Sequence, residues 1–413
     1  FYGLQTLRQL VVSNSGKIPC VSIEDKPAME YRGTMLDVCR HFFTVDEVKK
    51  FIDIMALHKL NKFHWHLTED QGWRIEIKKY PLLTEVGSRR SGTIVGMQKK
   101  GATAFTDDGK EYGGYYTQDQ IRDVVKYAAD RYIEVIPEIE MPGHGLGALT
   151  AYPWLGCTGG PYSVWTHWGI SDDVYCAGKE TTFEFVENVL SEVIDLFPSK
   201  FIHIGGDECP KGRWKECPLC QKRRADEDLK DENQLQSYFI HRVEKWLHDN
   251  GRELIGWDEI LQGGISSSAI IMTWRDQFNG TGAVQRGNRV IMTPKWNCYF
   301  DYSQTSDPDK NEGLTNVRYL SVRQVYRLDP YDRLKPSEWK YVLGVQANVW
   351  TEYIADFDKV QFKVLPRLAA LAERGWSYNR STYDDFVRRL FSLRKTYDAC
   401  GYIYAGFIFD GIE

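Results

Sequence analysis

Phe201-Ile202-His203-Ile204-Gly205-Gly206-Asp207-Glu208 is a short apolar run that stops at two glycines and two adjacent acids. A strand that ends on chemistry rather than on a hairpin turn is the signature of a parallel sheet whose loops carry function. Working outward, runs of the same kind recur at 33–38, 62–67, 133–139, 253–257, 270–274, 289–293 and 342–347. Amphipathic stretches lie between most of them. Thr44-Val45-Asp46-Glu47 opens one that reaches about His58, and Thr117-Gln118-Asp119-Gln120 opens another that ends near Tyr132; both have the capping-box pattern. Further helices are expected over 181–197, 231–249 and 359–375. Eight strands alternating with helices predict an α/β chain, a (β/α)8 TIM barrel with loop insertions. An open doubly wound sheet is the competing arrangement of the same pattern.

Polar residues cluster just past the strands: Arg40, Glu69 and Asp70, His144, Asp207 and Glu208, Asp258, Arg275, Asp301 and Glu352. A barrel gathers all of these points on one rim. Ionising one of two neighbouring carboxylates raises the pKa of the other, so Asp207 and Glu208 can hold unequal proton affinities, as acid–base catalysis requires. A surface pair capping the next segment is the plainer alternative. Trp257, Trp274 and Trp350 each end a predicted strand and each precede a polar or charged residue. Singly each reads as a core residue; together they form a box suited to a sugar, whose C–H faces stack on indoles while its hydroxyls need charged partners. Arg40 could grip adjacent hydroxyls or simply pair with Asp37. His64 and His66 share a strand face, as a metal pair would, but satisfied interior histidines are the better reading. His144 sits in a Pro-Gly turn, placed to support a carboxylate.

The chain has 413 residues, with 52 Lys+Arg against 57 Asp+Glu, a formal charge of −5. With no basic excess, nucleic acid is not an expected partner. Thirteen Trp, 24 Tyr and 19 Phe supply enough apolar surface to exclude a disordered chain. No apolar run approaches the roughly 20 residues of a membrane span. Residues 1–10 read as the end of a helix, so 1–28 is expected to be the tail of a truncated small N-terminal α/β domain, with the catalytic barrel over 29–413. Nine cysteines are too few for a disulfide scaffold. Cys209, Cys217 and Cys220 stand as C-x7-C-x2-C, half of a typical zinc pattern; a disulfide, a structural metal and free thiols all remain open. The segments 93–116 and 153–176 are candidates to shape the mouth of the site.

Six motifs, in order along the chain, resemble the catalytic domain of family 20 glycoside hydrolases, the β-N-acetylhexosaminidases. They are Leu36-Asp37-Val38-Cys39-Arg40-His41, the stretch 59–67, Pro142-Gly143-His144, 203–208, Gly256-Trp257-Asp258-Glu259 and Ala347-Asn348-Val349-Trp350-Thr351-Glu352. The insertion 209–220, with Gln71-Gly72-Trp73-Arg74, looks most like Bacteroidetes members. The resemblance implies a retaining exo-enzyme that removes terminal β-linked GlcNAc or GalNAc by substrate-assisted catalysis through an oxazolinium intermediate. It implies Glu208 as general acid/base, Asp207 as the partner of the acetamido N–H and Tyr299 as the donor to the acetamido oxygen. Arg40 and Glu352 match the grip on the 3- and 4-hydroxyls, and Asp301 a contact near the 4- and 6-hydroxyls. Trp257, Trp274 and Trp350 match the acetamido pocket and sugar platform. His144 matches a support for the acid, through Glu69 or Asp70. The resemblance implies no metal and no organic cofactor for the reaction, a glycan as partner, and an exported, periplasmic or cell-surface location. A lacto-N-biosidase, which releases a disaccharide, a carbohydrate-binding protein that does not cut and a metalloenzyme using His64, His66 and the cysteines are the other readings.

Overall fold

The computed structural model describes all residues except 100, 103, 308, 309, 311, 379, 412 and 413. Eight strands close a barrel: β1 Tyr31–Asp37, β2 Lys62–His66, β3 Glu134–Met141, β4 Phe201–Gly205, β5 Glu253–Trp257, β6 Ile270–Thr273, β7 Val290–Met292 and β8 Val342–Val349. Each pairs in parallel with its neighbours, and β1 closes on β8, with Tyr31 opposite Gly344 and Leu36 opposite Val349. The closed sheet settles the choice against an open one.

Alternation along the strands builds two cores. Outward residues such as Leu36, Phe63, Trp65, Val135, Ile202 and Val345 are buried against the helices. Inward residues form a smaller cluster of Tyr31, Ile136, Ile255, Trp257, Ile270, Met272 and Ile291. Burial on both faces is why the strands read as nearly continuous apolar runs.

The barrel interior also holds a polar hub. Glu138, fully buried on β3, lies 2.8 Å from His64 Nε2, 2.6 Å from His66 Nδ1 and 2.9 Å from His203 Nδ1, and it accepts the Trp257 indole N–H at 2.7 Å. His64 Nδ1 faces the Gln346 amide at 3.0 Å. His66 is thus an interior histidine bonded through both ring nitrogens, to Glu138 and Glu69, whereas His64 bonds through Nδ1 and its Nε2, although close to Glu138, makes no hydrogen bond among the described residues. Burial pushes His64 down to about 4. Burial also opposes charge on His66, but Glu138 and then Glu69 more than offset it, and His66 is pushed up to about 10.

The helices at Val45–Leu57 and Gln118–Ala129 both open with complete capping boxes, from Thr44 and Thr117. The single helix expected over 359–375 is two, Phe357–Val364 and Arg367–Ser377. Pro366 accounts for the break: it has no N–H to donate, and it drives the preceding Leu365 into the extended conformation, with ψ 136°. Near the N-terminus, the helix Tyr2–Ser13 packs on the helix Tyr383–Cys400, and the Arg32 guanidinium sits between the rings of Tyr2 and Trp376. No described helix is long and apolar enough to cross a membrane.

Candidate active site

The C-terminal ends of the strands converge on a cavity of about 170 Å3. Its walls come from seven strand ends. They supply Arg40 after β1, Glu69 after β2, His144 after β3, Asp207 and Glu208 after β4, Trp257 at the end of β5, Trp274 after β6, and Trp350 and Glu352 after β8. Tyr299 and Asp301 complete it from the loop that follows β7. Every residue that the family resemblance assigns to the site lines it except Asp70.

The acid pair owes its placement to the two glycines before it. Gly205 and Gly206 adopt φ of +68° and +88°, where side chains are rarely tolerated. A Cβ on Gly205 would stand 1.7 Å from Glu140 Oε2, and one on Gly206 would stand 2.4 Å from Ile260 Cγ2. Chain reversal at this point turns both acids into the cavity. Glu208 itself has φ +42° and His144 has φ +50°, so two neighbouring site residues hold sparsely populated backbone conformations.

The two acids differ in environment. The Asp207 side chain is 12% exposed, whereas the Glu208 side chain is 35% exposed. Burial, reinforced by Glu208 and opposed by His144, pushes the Asp207 carboxyl up to about 7. Asp207 Oδ1 is buried and has no hydrogen-bond partner among the described residues. Such an atom is costly unless a ligand supplies a donor.

Behind the pair, His144 Nε2 lies 3.6 Å from Glu208 Oε2 and 3.8 Å from Asp207 Oδ2, and Nδ1 lies 2.7 Å from Glu69 Oε1 and 3.3 Å from Asp70 Oδ2. Burial opposes charge on His144, but Glu69 above all, with Asp70 and Glu208, raises it well above its ordinary value. Burial likewise opposes charge on Glu69, yet Arg40, at 2.9 Å, and His144 hold its carboxyl well below the usual range.

Glu69 is therefore the carboxylate nearest His144. Asp70 is fully buried and does not reach the cavity, which corrects its place among the substrate-binding residues. Its Oδ1 accepts the Leu146 N–H at 3.1 Å, and this bond ties the β2 loop to the β3 loop.

The remaining walls are aromatic and acidic. Trp257 and Trp350 meet with ring centroids 5.9 Å apart, and Trp274 stacks on Tyr299 at 6.0 Å with 23° between planes. Glu259 accepts the Trp274 indole N–H at 3.0 Å. The Arg40 guanidinium lies over the Trp350 ring at 5.1 Å. Across from it, burial and then Glu352 push Asp301 up to about 7, and Asp301 Oδ1 is buried without a partner among the described residues.

Three lining residues escaped the sequence reading: Tyr302, Asn316 and Arg318. Asn316 donates to Asp301 at 3.1 Å and Arg318 to the Tyr302 hydroxyl at 2.8 Å. Conversely, Arg275 and Asp258, expected on the rim, pair with each other at 2.7 Å and do not line the cavity. Segments 93–116 and 153–176 meet each other, with Ile94 N–H donating to Thr166 O at 2.7 Å and the Gln98 amide to Trp168 O at 2.6 Å, but none of their described residues lines the cavity.

Comparison with known proteins gives one consistent outcome. Residues 29–379 match the model for glycosyl hydrolase family 20, catalytic domain. A β-hexosaminidase of Porphyromonas gingivalis is 50% identical over 402 residues, covering 94% of this chain and 50% of that protein; the chain thus spans about half the length of this curated relative. The crystal structure of a β-N-acetylhexosaminidase from Bacteroides fragilis superposes with TM-score 0.84 at 35% identity, covering 98% of this chain and 78% of the other. A Vibrio harveyi exo β-N-acetylglucosaminidase of the same family, in complex with N-acetylglucosamine, superposes with TM-score 0.82 at 33% identity, covering 92% and 59%.

Proposed function

The chain belongs to glycosyl hydrolase family 20, and from that premise we propose that it is a retaining exo-β-N-acetylhexosaminidase, releasing terminal β-linked GlcNAc or GalNAc from glycans. The observation that carries the proposal is the unequal acid pair at the floor of an indole-walled cavity, with Asp207 Oδ1 buried and unpaired beside the more exposed Glu208.

In this reading the substrate supplies its own nucleophile. The acetamido oxygen forms a bond to the anomeric carbon as the bond to the leaving oxygen breaks, and Glu208 delivers its proton to that oxygen. Water then adds to the same carbon and returns a proton to Glu208. Asp207, as the anion, accepts the acetamido N–H through Oδ1 and stabilises the positive charge that develops on the ring of the intermediate. Tyr299, stacked on Trp274, donates to the acetamido oxygen and so turns it toward the anomeric carbon. Arg40 and Glu352 grip the 3- and 4-hydroxyls, and Asp301 meets the 4- and 6-hydroxyl region. Trp257 and Trp350 form the platform under the sugar ring. His144, held by Glu69, positions Glu208.

No lining residue requires a metal or organic cofactor for these steps. The proposed compartment is the periplasm or cell surface, which fractionation of the native host would test.

A chromogenic β-N-acetylglucosaminide, the matching β-glucoside and a lacto-N-biose glycoside test the reading together. The first should be cleaved rapidly and the other two barely at all. Fast cleavage of the plain glucoside would remove substrate assistance. Release of the disaccharide would favour the biosidase, and no cleavage of any would leave a binding protein.

A further inference from the structure

Four cysteines that the sequence keeps far apart meet away from the cavity. Cys217 and Cys220 bracket the start of the helix Pro218–Asp226, and Cys157 and Cys176 each follow one member of the antiparallel bridge between Gly156 and Tyr175. Their sulfurs stand 3.7 Å (157 to 220), 3.8 Å (176 to 217) and 3.6 Å (176 to 220) apart, and all four lie within 4.8 Å of one another. Cys209, the first member of the sequence motif, is not among them.

We propose that these four thiols are a structural zinc site. Four sulfurs at about 2.3 Å from a tetrahedral ion lie about 3.8 Å from each other. The observed spacings match that edge and are far from the ~2.0 Å of a disulfide. Cys176, Cys217 and Cys220 are buried, and Cys157 closes the group from the surface side. Closed, all-sulfur coordination is the pattern of a structural zinc.

The surroundings suit thiolates. Cys217 is the N-cap of its helix, the end whose free N–H groups are a general anchor for anionic groups. Gly178 lets the two arms meet, since a Cβ there would lie 2.2 Å from the Leu219 carbonyl carbon. On binding, each thiol surrenders its proton to solvent and the ion takes four thiolates.

The site would staple the loop after β3 to the loop after β4, which carry His144 and the acid pair. The same two loops are joined by Arg213 to Asp173 at 2.7 Å and by the Trp214 indole N–H to Tyr175 O at 2.9 Å.

Elemental analysis of the purified full chain, combined with thiol counting and intact mass, tests this. The expected result is one zinc per chain and four thiols that resist alkylation until a chelator removes the metal from the unfolded chain. Cobalt(II) replacing the zinc should show sulfur-to-cobalt charge-transfer absorption. Cys217→Ser should lose most of the metal and melt lower, whereas Cys20→Ser, at an exposed site outside the cluster, should keep both metal and Tm. Should Cys217→Ser fail to fold, the wild-type measurements decide alone. A metal-free chain with disulfides among these four, a metal-free chain with all four freely reactive, or iron in place of zinc would each overturn the assignment.

Discussion

Glu69 Oε1 lies 2.7 Å from His144 Nδ1, on the side of the imidazole opposite Glu208. The carboxylate is thereby the ion-pair partner that raises the His144 pKa behind the acid. Glu69→Gln should lower the His144 pKa, followed by its imidazole NMR signals. It should also reduce kcat about 10- to 100-fold on substrates with poor leaving groups, the scale of losing one buried charged contact. Glu69→Asp should restore part of both. An unchanged His144 titration would show that Glu69 is only packing.

Glu208→Gln separates proton delivery from binding. It should cost about 10²- to 10⁴-fold on alkyl or sugar leaving groups, the usual range for a positioned acid, and far less on a nitrophenyl leaving group that departs without a proton. Equal losses on both would displace Glu208 from the acid role.

Asp207→Asn should cut kcat/KM by roughly 10²- to 10³-fold, the scale of one donor–acceptor contact to developing charge. It should also change stability in a pH-dependent way. The carboxyl titrates near 7 in the folded protein against about 3.9 when unfolded. Below the lower value both states are protonated and nothing is lost; as pH rises toward 7 the unfolded chain releases the proton first, and stability drains away. The variant lacks this drain, so its Tm relative to wild type should climb between about pH 4 and 7 and then level off. A constant difference would contradict the raised value.

Gly205→Ala tests the strand end. A Cβ would overlap the buried Glu140 carboxylate and force a side chain onto φ +68°. Overpacking and backbone strain together should cost about 2–4 kcal/mol, read as a lowered denaturation midpoint at constant m-value. A neutral Gly205→Ala would mean the turn can relax.

The strands were legible because each is a short apolar run buried on both faces; Glu253–Trp257 coincides with its expected bounds. Arg40, His144, Asp207, Glu208 and the three tryptophans were legible for the same reason, since a barrel converts "end of strand" into "rim of site". Asn316 and Arg318 were not, because they reach the cavity through an irregular pairing of 316–319 with Tyr302–Ser303 that has no periodic signal. Nor were Cys157 and Cys176, which only the bridge at Gly156 and Tyr175 brings to the Cys-x2-Cys pair. The choice between Glu69 and Asp70 turned on which carboxylate Arg40 also holds, a relation between loops of different strands.

Glu138 draws its partners from β2, β4 and β5 at once, and that has a bearing on how the cylinder finds its thread. Sliding β3 by a single residue would point the acid at the surrounding helices and abandon three imidazoles and an indole in a greasy tube. The hub thus acts as a lock on alignment, one that anyone transplanting this mouth onto another eight-stranded frame would have to carry across with it.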